Sequence, residues 1–358
     1  MVNLGQRREI GKIGKVLVTG HTGFKGTWAT LMLEALGIEV VGLSLPAEQD
    51  SLYNLLGRKG LIEEYIFDIS DRNRVAEIIK RSKIQTVIHM AAQPLVLLSY
   101  QYPVTTFETN VMGTVNVLNA SFLNSTVETV VIVTTDKVYE NKNTGKRFIE
   151  SDSLLGKDPY SASKVGVEAA VAAWSQISRT KGGPTLISAR AGNVIGGGDF
   201  AENRIIPDIV RGFLTGKSVE IRNPDSTRPW QHALDPISGY FMAAIDATLN
   251  REHYSINFGP KDQSLEVTKV VELAKDILGS KLDLKYSDKI HANFESHLLD
   301  LDSTFAQKRL GWNPVLNQIE SIKQTFQWWK EYEKNRDTVL ELCNQDINTF
   351  VNGHGFVS

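Results

Sequence analysis

Residues Thr134-Thr135-Asp136-Lys137 follow an apolar run, Thr129 to Val133, that reads as a buried strand. An acid and a base thus sit side by side where the strand ends. In an open α/β sheet, ligands bind in the crevice beyond the carboxyl ends of the strands. A proton donor beside a proton acceptor there points to chemistry beyond simple hydride transfer; a charged turn is the plain alternative. Tyr160 and Lys164 are spaced i, i+4, which puts them on one helical face. A free tyrosine, with a pKa near ~10, is a poor base at neutral pH. An ammonium within reach favours its phenolate, so the pair is a device for removing a hydroxyl proton. The third group is Gly20-His21-Thr22-Gly23-Phe24-Lys25-Gly26, between a strand and a helix. Its first glycine permits a tight turn, its second lets N–H groups approach a pyrophosphate, and its third allows close helix–strand packing.

The elements that must position these groups alternate. Strands are expected at Lys15–Thr19, Glu39–Leu43, Tyr65–Asp68, Thr86–Met90, Val127–Val133 and Thr185–Arg190. Helices are expected at Thr27–Leu36, Asp71–Lys83, Thr105–Asn124 and Tyr160–Ser178, with Gly37 as a C-cap and Asp158-Pro159 as a helix start. Such alternation argues for βαβ units, an α/β fold with a Rossmann-type parallel sheet and helices on both faces. Beyond residue 192 the rhythm breaks into proline-containing stretches and helices at Pro236–Leu249, Leu265–Leu278 and Gln318–Lys334. The expected division is a loose leader (1–14), a dinucleotide-binding domain (15–191), a smaller substrate lobe with segments returning to the first (192–340), and a C-terminal tail (341–358).

With 358 residues, 42% hydrophobic and 22% charged, the composition is that of a globular protein. A net charge of −2 gives no footprint for nucleic acid or an anionic membrane. No apolar run reaches the ~18 residues of a membrane span. Cys343 is the one cysteine, which fits a reducing, cytoplasmic setting without disulfides. The seven histidines are scattered and no pair has ligand spacing, so no metal is expected.

The G-x-x-G-x-x-G spacing, with Tyr160-x-x-x-Lys164 downstream, resembles the extended branch of the short-chain dehydrogenase/reductase superfamily. The resemblance implies NAD held by Gly20, Thr22, Gly23, Phe24, Lys25 and Gly26, with Asp68-Ile69 at the adenine and Ala91, Ala92, Tyr160 and Lys164 along the cofactor. The second strand ends Gly42-Leu43-Ser44-Leu45, without the usual acid for the ribose and without an arginine for a 2′-phosphate; NADP therefore stays open. Thr134 matches the hydroxyl that completes the family's triad.

Asp136-Lys137, with Val138-Tyr139-Glu140-Asn141, resembles the CDP-glucose 4,6-dehydratases, where most nucleotide-sugar 4,6-dehydratases carry Asp-Glu. Arg190–Asp199, Arg204–Asp208, Arg228–His232, Leu301-Asp302-Ser303 and Leu310-Gly311-Trp312 agree with that family. The resemblance runs over about residues 15 to 335. It implies a hydro-lyase acting on CDP-glucose, in a route to deoxysugars of bacterial surface polysaccharides. Tyr160 would take the proton of the sugar 4-hydroxyl, Lys137 the proton of C5, and Asp136 would protonate the departing 6-hydroxyl. Gln93, Asn193, Arg204, Arg228 and His297 are the candidate substrate-binding residues, Arg228 foremost because a guanidinium binds phosphate bidentately. A homodimer or homotetramer built on the 105–124 helix and the Tyr160 helix is implied as well. Two requirements conflict: Lys137 must be neutral to act as a base and Asp136 protonated to act as an acid. Either their side chains point apart, or the pair titrates as a unit. The competing readings are an epimerase or a dehydratase of another nucleotide sugar, and a noncatalytic cofactor-sensing protein of the same fold.

Overall fold

The computed structural model describes residues 8–279, 282–286 and 299–357. Its centre is a sheet of seven parallel strands: β1 (Val16–Thr19), β2 (Val40–Ser44), β3 (Glu63–Ile66), β4 (Thr86–His89), β5 (Thr129–Val133), β6 (Thr185–Ala191) and β7 (Tyr254–Phe258). Their order is β7-β6-β5-β4-β1-β2-β3, all neighbours parallel. The order reverses direction between β1 and β4, the place where such sheets open a ligand crevice.

Strand alternation sorts the apolar side chains onto two faces. Val16, Val18, Ile88, Val131, Val133, Ile187 and Ala189 join one core, with the helices Phe24–Ala35, Leu234–Asn250 and Val339–His354. Leu17, Val87, Val130, Ile132 and Leu186 join the other, with Arg72–Arg81, Gly113–Leu123 and Pro159–Lys181. Both faces being covered, β1 and β5 are continuously apolar or β-branched rather than alternating.

The helix Phe24–Ala35 starts three residues before its expected position and ends on a left-handed Gly37 (φ +73°) that bonds Glu34 O. Asp158 caps Pro159–Lys181 through a capping box with Ser161. The expected 105–124 helix is broken into Pro103–Phe107, a π-helical turn Glu108–Met112, and Gly113–Leu123.

Past β6 the chain builds a smaller lobe from Ile205–Thr215, Val267–Leu278 and Gln318–Lys334 with short paired strands, while Leu234–Asn250 and β7 return to the sheet. Two expectations are corrected. Residues 8–13 are not a loose leader: Ile10 and Ile13 are buried in the core, and Arg8–Glu9 pair with Phe356–Val357. The 341–358 stretch is not a tail: Val339–His354 is a helix whose Leu342, Cys343, Ile347 and Phe350 are buried. Period-3.6 apolar positions marked that helix in the sequence.

Candidate active site

The glycine turn is shaped by backbone contact. Gly20 has φ +75°, and a Cβ there would lie 2.9 Å from the Ala91 amide nitrogen, so turn and β4 end meet backbone to backbone. A Cβ at Gly26 would lie 2.0 Å from Gly20 O. No side chain caps the following helix, whose N-cap is Gly23 and whose first turn has no acid. Close-packed glycines and an uncapped helix N-terminus fit a dinucleotide diphosphate. Thr22, expected on the cofactor, is buried and turned to β2: its hydroxyl meets Ser44 Oγ at 2.8 Å and donates to Leu45 O. Thr22 therefore positions the β2 end, the place where a ribose-reading acid is missing. Asp68 and Ile69 follow β3; Asp68 accepts from Ser70 N–H, and buried Ile69 fills the space beside Gly113.

Lys164 lies one turn beyond Tyr160, is buried, and donates to Val133 O at 3.1 Å. Burial lowers its pKa to about 8, against the charge of Glu168. Burial raises Tyr160 to about 12, opposed by the neighbouring Thr135 hydroxyl. The triad hydroxyl is thus corrected: Thr135 faces Tyr160, while Thr134 donates to Glu168 Oε1 at 2.7 Å. Adjacent residues at a strand end point to opposite sides. Thr134 continues β5, its N–H bonding Ala189 O.

The chain then turns through a short 3₁₀ segment, Asp136–Val138, with Thr135 Oγ accepting from Lys137 N–H. Asp136 is buried, with Oδ2 2.9 Å from where a Cβ at Gly192 would stand; Thr135 Oγ donates to its Oδ1 at 3.0 Å. Burial raises Asp136 to about 6, ahead of the opposing charges of Lys137 and Arg228. Lys137 remains half-exposed. Acid and base are therefore in different surroundings, and burial outweighs charge at Asp136.

Lys25 is half-buried on the glycine-turn side and donates to Tyr240 OH at 2.8 Å. Its pKa falls to about 7 through burial and the charges of Lys164 and Arg204, while Asp136 acts oppositely. Tyr160 also responds to Asp136 and Arg204. Lys164, Arg204 and Asp136 thus lie within electrostatic reach of Lys25, and Asp136 and Arg204 within reach of Tyr160. Arg228 is beside Asp136 electrostatically and donates to Thr227 O; Arg204 caps Ile205–Thr215 and pairs with Asp199 Oδ2 at 3.5 Å. Asn193 is exposed just past β6. Gln93, expected at the substrate, donates from Nε2 to Thr106 Oγ1 at 3.0 Å and accepts from Leu95 N–H at Oε1, so its amide is held by the neighbouring loop and helix. Ala91 and Ala92 line the β4 end beside Gly20. His297 lies outside the described residues. Among the described residues, no group of three or more His, Cys, Asp or Glu could hold a metal ion. Sequence reasoning missed Tyr240, Glu168 and the orientation of Thr135.

Comparison with known proteins bears on the family and the fold. The family model "NAD dependent epimerase/dehydratase family" matches residues 16–257. A CDP-glucose 4,6-dehydratase of Salmonella typhimurium (strain LT2) is 38% identical over 335 residues, 91% of this chain and 93% of that protein. The crystal structure of a UDP-glucose 4-epimerase from Stenotrophomonas maltophila superposes with a TM-score of 0.78 at 21% identity, covering 90% of this chain and 99% of the other. A dTDP-glucose 4,6-dehydratase from Bacillus anthracis in complex with NAD does so with a TM-score of 0.73 at 24% identity, covering 92% and 99%. The two structural likenesses speak to the fold.

Proposed function

The chain belongs to the NAD dependent epimerase/dehydratase family, and from that premise we propose that it is a CDP-glucose 4,6-dehydratase, a hydro-lyase that makes CDP-4-keto-6-deoxyglucose. The observation that carries this reading is the buried Asp136 beside Lys137 at the end of β5, across from Tyr160. An epimerase has no use for a second acid–base pair at that place.

NAD⁺, when bound, supplies the site that holds the C4 hydride between its removal and its return at C6. The glycine turn and the first turn of Phe24–Ala35 would hold its diphosphate. Tyr160, as its phenolate, takes the proton of the 4-hydroxyl, and the charge of Lys164 favours that phenolate beforehand. The 4-keto group makes C5–H acidic, and Lys137 takes that proton. Asp136, whose protonated form burial favours, gives its proton to the 6-hydroxyl, which leaves as water. Lys137 returns its proton to C5. Arg228 and Arg204 supply cations for the substrate diphosphate.

Mass spectrometry of CDP-glucose incubated with the protein tests the reading: loss of one water supports it, and a change of configuration without mass change points to epimerisation. A parallel panel of dTDP-, GDP- and UDP-glucose separates the nucleotide. A homo-oligomeric state and a cytoplasmic location complete the proposal. Leu97, Val104, Phe107 and Met112 are 51%, 69%, 41% and 54% exposed on the segment beside the Tyr160 helix, and a second copy of the chain is the occupant we propose for that face.

A further inference from the structure

Glu168 lies one helical turn beyond Lys164 and is buried, as is Arg190 on β6. They make a two-point pair: Arg190 Nε to Glu168 Oε1 at 2.9 Å and Nη2 to Oε2 at 2.8 Å. Burial pushes the Glu168 carboxyl up, but Arg190 more than offsets it and holds the group below the usual carboxylate range. Neither side chain reaches the reacting groups. Each reaches instead one end of the acid–base turn. Thr134 Oγ donates to Glu168 Oε1 at 2.7 Å, a bond that Ser188 Oγ duplicates. Arg190 Nη1 donates to Tyr139 OH at 2.9 Å, and Tyr139 OH donates to Asn257 Oδ1 on β7 at 2.7 Å. Tyr139 is fixed further by stacking on Phe148 with ring centroids 4.9 Å apart.

Thr134, Glu168, Arg190 and Tyr139 therefore close a ring through the chain segment that contains Thr135, Asp136, Lys137 and Val138. From this ring we propose that the Glu168–Arg190 pair is a clamp on both ends of the acid–base turn, which fixes the water-elimination groups relative to the helix carrying Tyr160 and Lys164. Glu168, Arg190, Thr134 and Tyr139 are positioning residues. The plain alternative is a buried ion pair that only stabilises the fold. The two readings differ in which step they affect. Proton transfer depends steeply on placement, and a displacement of ~1 Å costs on the order of a hundredfold in rate. Tyr160 and Lys164 have their own anchors, Ser99 Oγ to Tyr160 N–H and Val133 O to Lys164 Nζ, so of the groups that serve proton removal from the 4-hydroxyl only Thr135 moves with the turn.

This inference rests on the dehydratase reading above. The test uses Tyr139→Phe and Thr134→Val, which remove one end each and leave the ion pair itself intact. Arg190 keeps its bond to Glu150 O and Glu168 its bond from Ser188, so both variants retain partners for the buried charges. Single-turnover reactions are quenched with borodeuteride, and mass spectrometry separates the deuterium-marked sugar that retains its 6-hydroxyl from unreacted substrate and from the deuterium-marked 6-deoxy product. The expected result is water loss slowed about tenfold or more, oxidation slowed by a clearly smaller factor, and build-up of the 6-hydroxylated ketone. Thr134→Ser should restore the wild-type ratio. Oxidation and elimination slowing together in step with a lower melting temperature would overturn the clamp, as would unchanged partitioning in both variants. Absence of water loss from every nucleotide sugar in the wild type removes the functional reading and the clamp with it; wild-type turnover without step separation in the variants removes the clamp alone.

Discussion

Thr134 gives its hydroxyl to Glu168 at 2.7 Å, so the hydroxyl that faces Tyr160 is that of its neighbour, Thr135. Thr135→Val should therefore slow oxidation at C4 on the order of a hundredfold, the usual scale for losing one partner of an acid–base group. Thr135→Ser should retain most of it. Pre-steady-state formation of reduced cofactor absorbance measures both, and an unaffected Thr135→Val would return the triad role to Thr134.

Lys137→Ala should separate the two halves of the proposed reaction. Tyr160, Lys164 and Thr135 are untouched, so the 4-keto sugar still forms, but C5 keeps its proton. Solvent deuterium should then fail to enter C5, with 4-keto-6-deoxy product reduced about a hundredfold or more. Normal deuterium incorporation in this variant would assign the base elsewhere.

Asp136 links activity to stability through pH. Burial raises its carboxyl from 3.8 to about 6. A carboxyl raised in the fold binds its proton more tightly there than in the unfolded chain, so stability falls as pH rises from about 4 to about 6 and stays lower above that. Asp136→Asn, uncharged throughout, should be more stable than the wild type at neutral pH by on the order of 2 to 3 kcal/mol, with the gap closing near pH ~4. It should also lack dehydration activity. Urea unfolding at both pH values is the check; equal stability at neutral pH would mean that Asp136 is not held in a desolvated state.

Gly26→Ala should test the cradle. Its methyl would meet Gly20 O at 2.0 Å, backbone against backbone, so the helix must move. An overpacking penalty of about 1 to 3 kcal/mol is expected, together with much weaker NAD⁺ binding by calorimetry. Unchanged binding would show that the diphosphate does not sit on this turn.

Val104→Asp puts a charge at the centre of the exposed apolar segment and should shift a sedimenting oligomer toward monomer at micromolar concentration. An unshifted oligomer would place the contact elsewhere.

The sequence made legible what depends on neighbours along the chain. The glycine turn, the Tyr160–Lys164 spacing, the Asp158 cap and the order of strands and helices all follow from local pattern, and the parallel sheet followed from their alternation. Orientation and distant partners were not legible. Which of Thr134 and Thr135 faces Tyr160 depends on where β5 stops pairing with β6 through the Thr134 N–H to Ala189 O bond. Lys25 meets Tyr240 from 215 positions away in the chain. Gln93 looked available because nothing local reveals that Thr106 and Leu95 use both ends of its amide. The strand β7, YSINF, is short and lies between polar stretches, so only its pairing with β6 identifies it.

The parallel pairing of Arg8 with Phe356 brings together backbone that is nearly the whole chain apart. Closing so long a loop has a large entropic cost, so this seam should be among the last contacts formed in folding. It also lies over Ile10 and Ile13, which share a core with the helix that carries Tyr240. A bulky insertion at the seam would be felt, through that helix, at the Lys25 side of the active site.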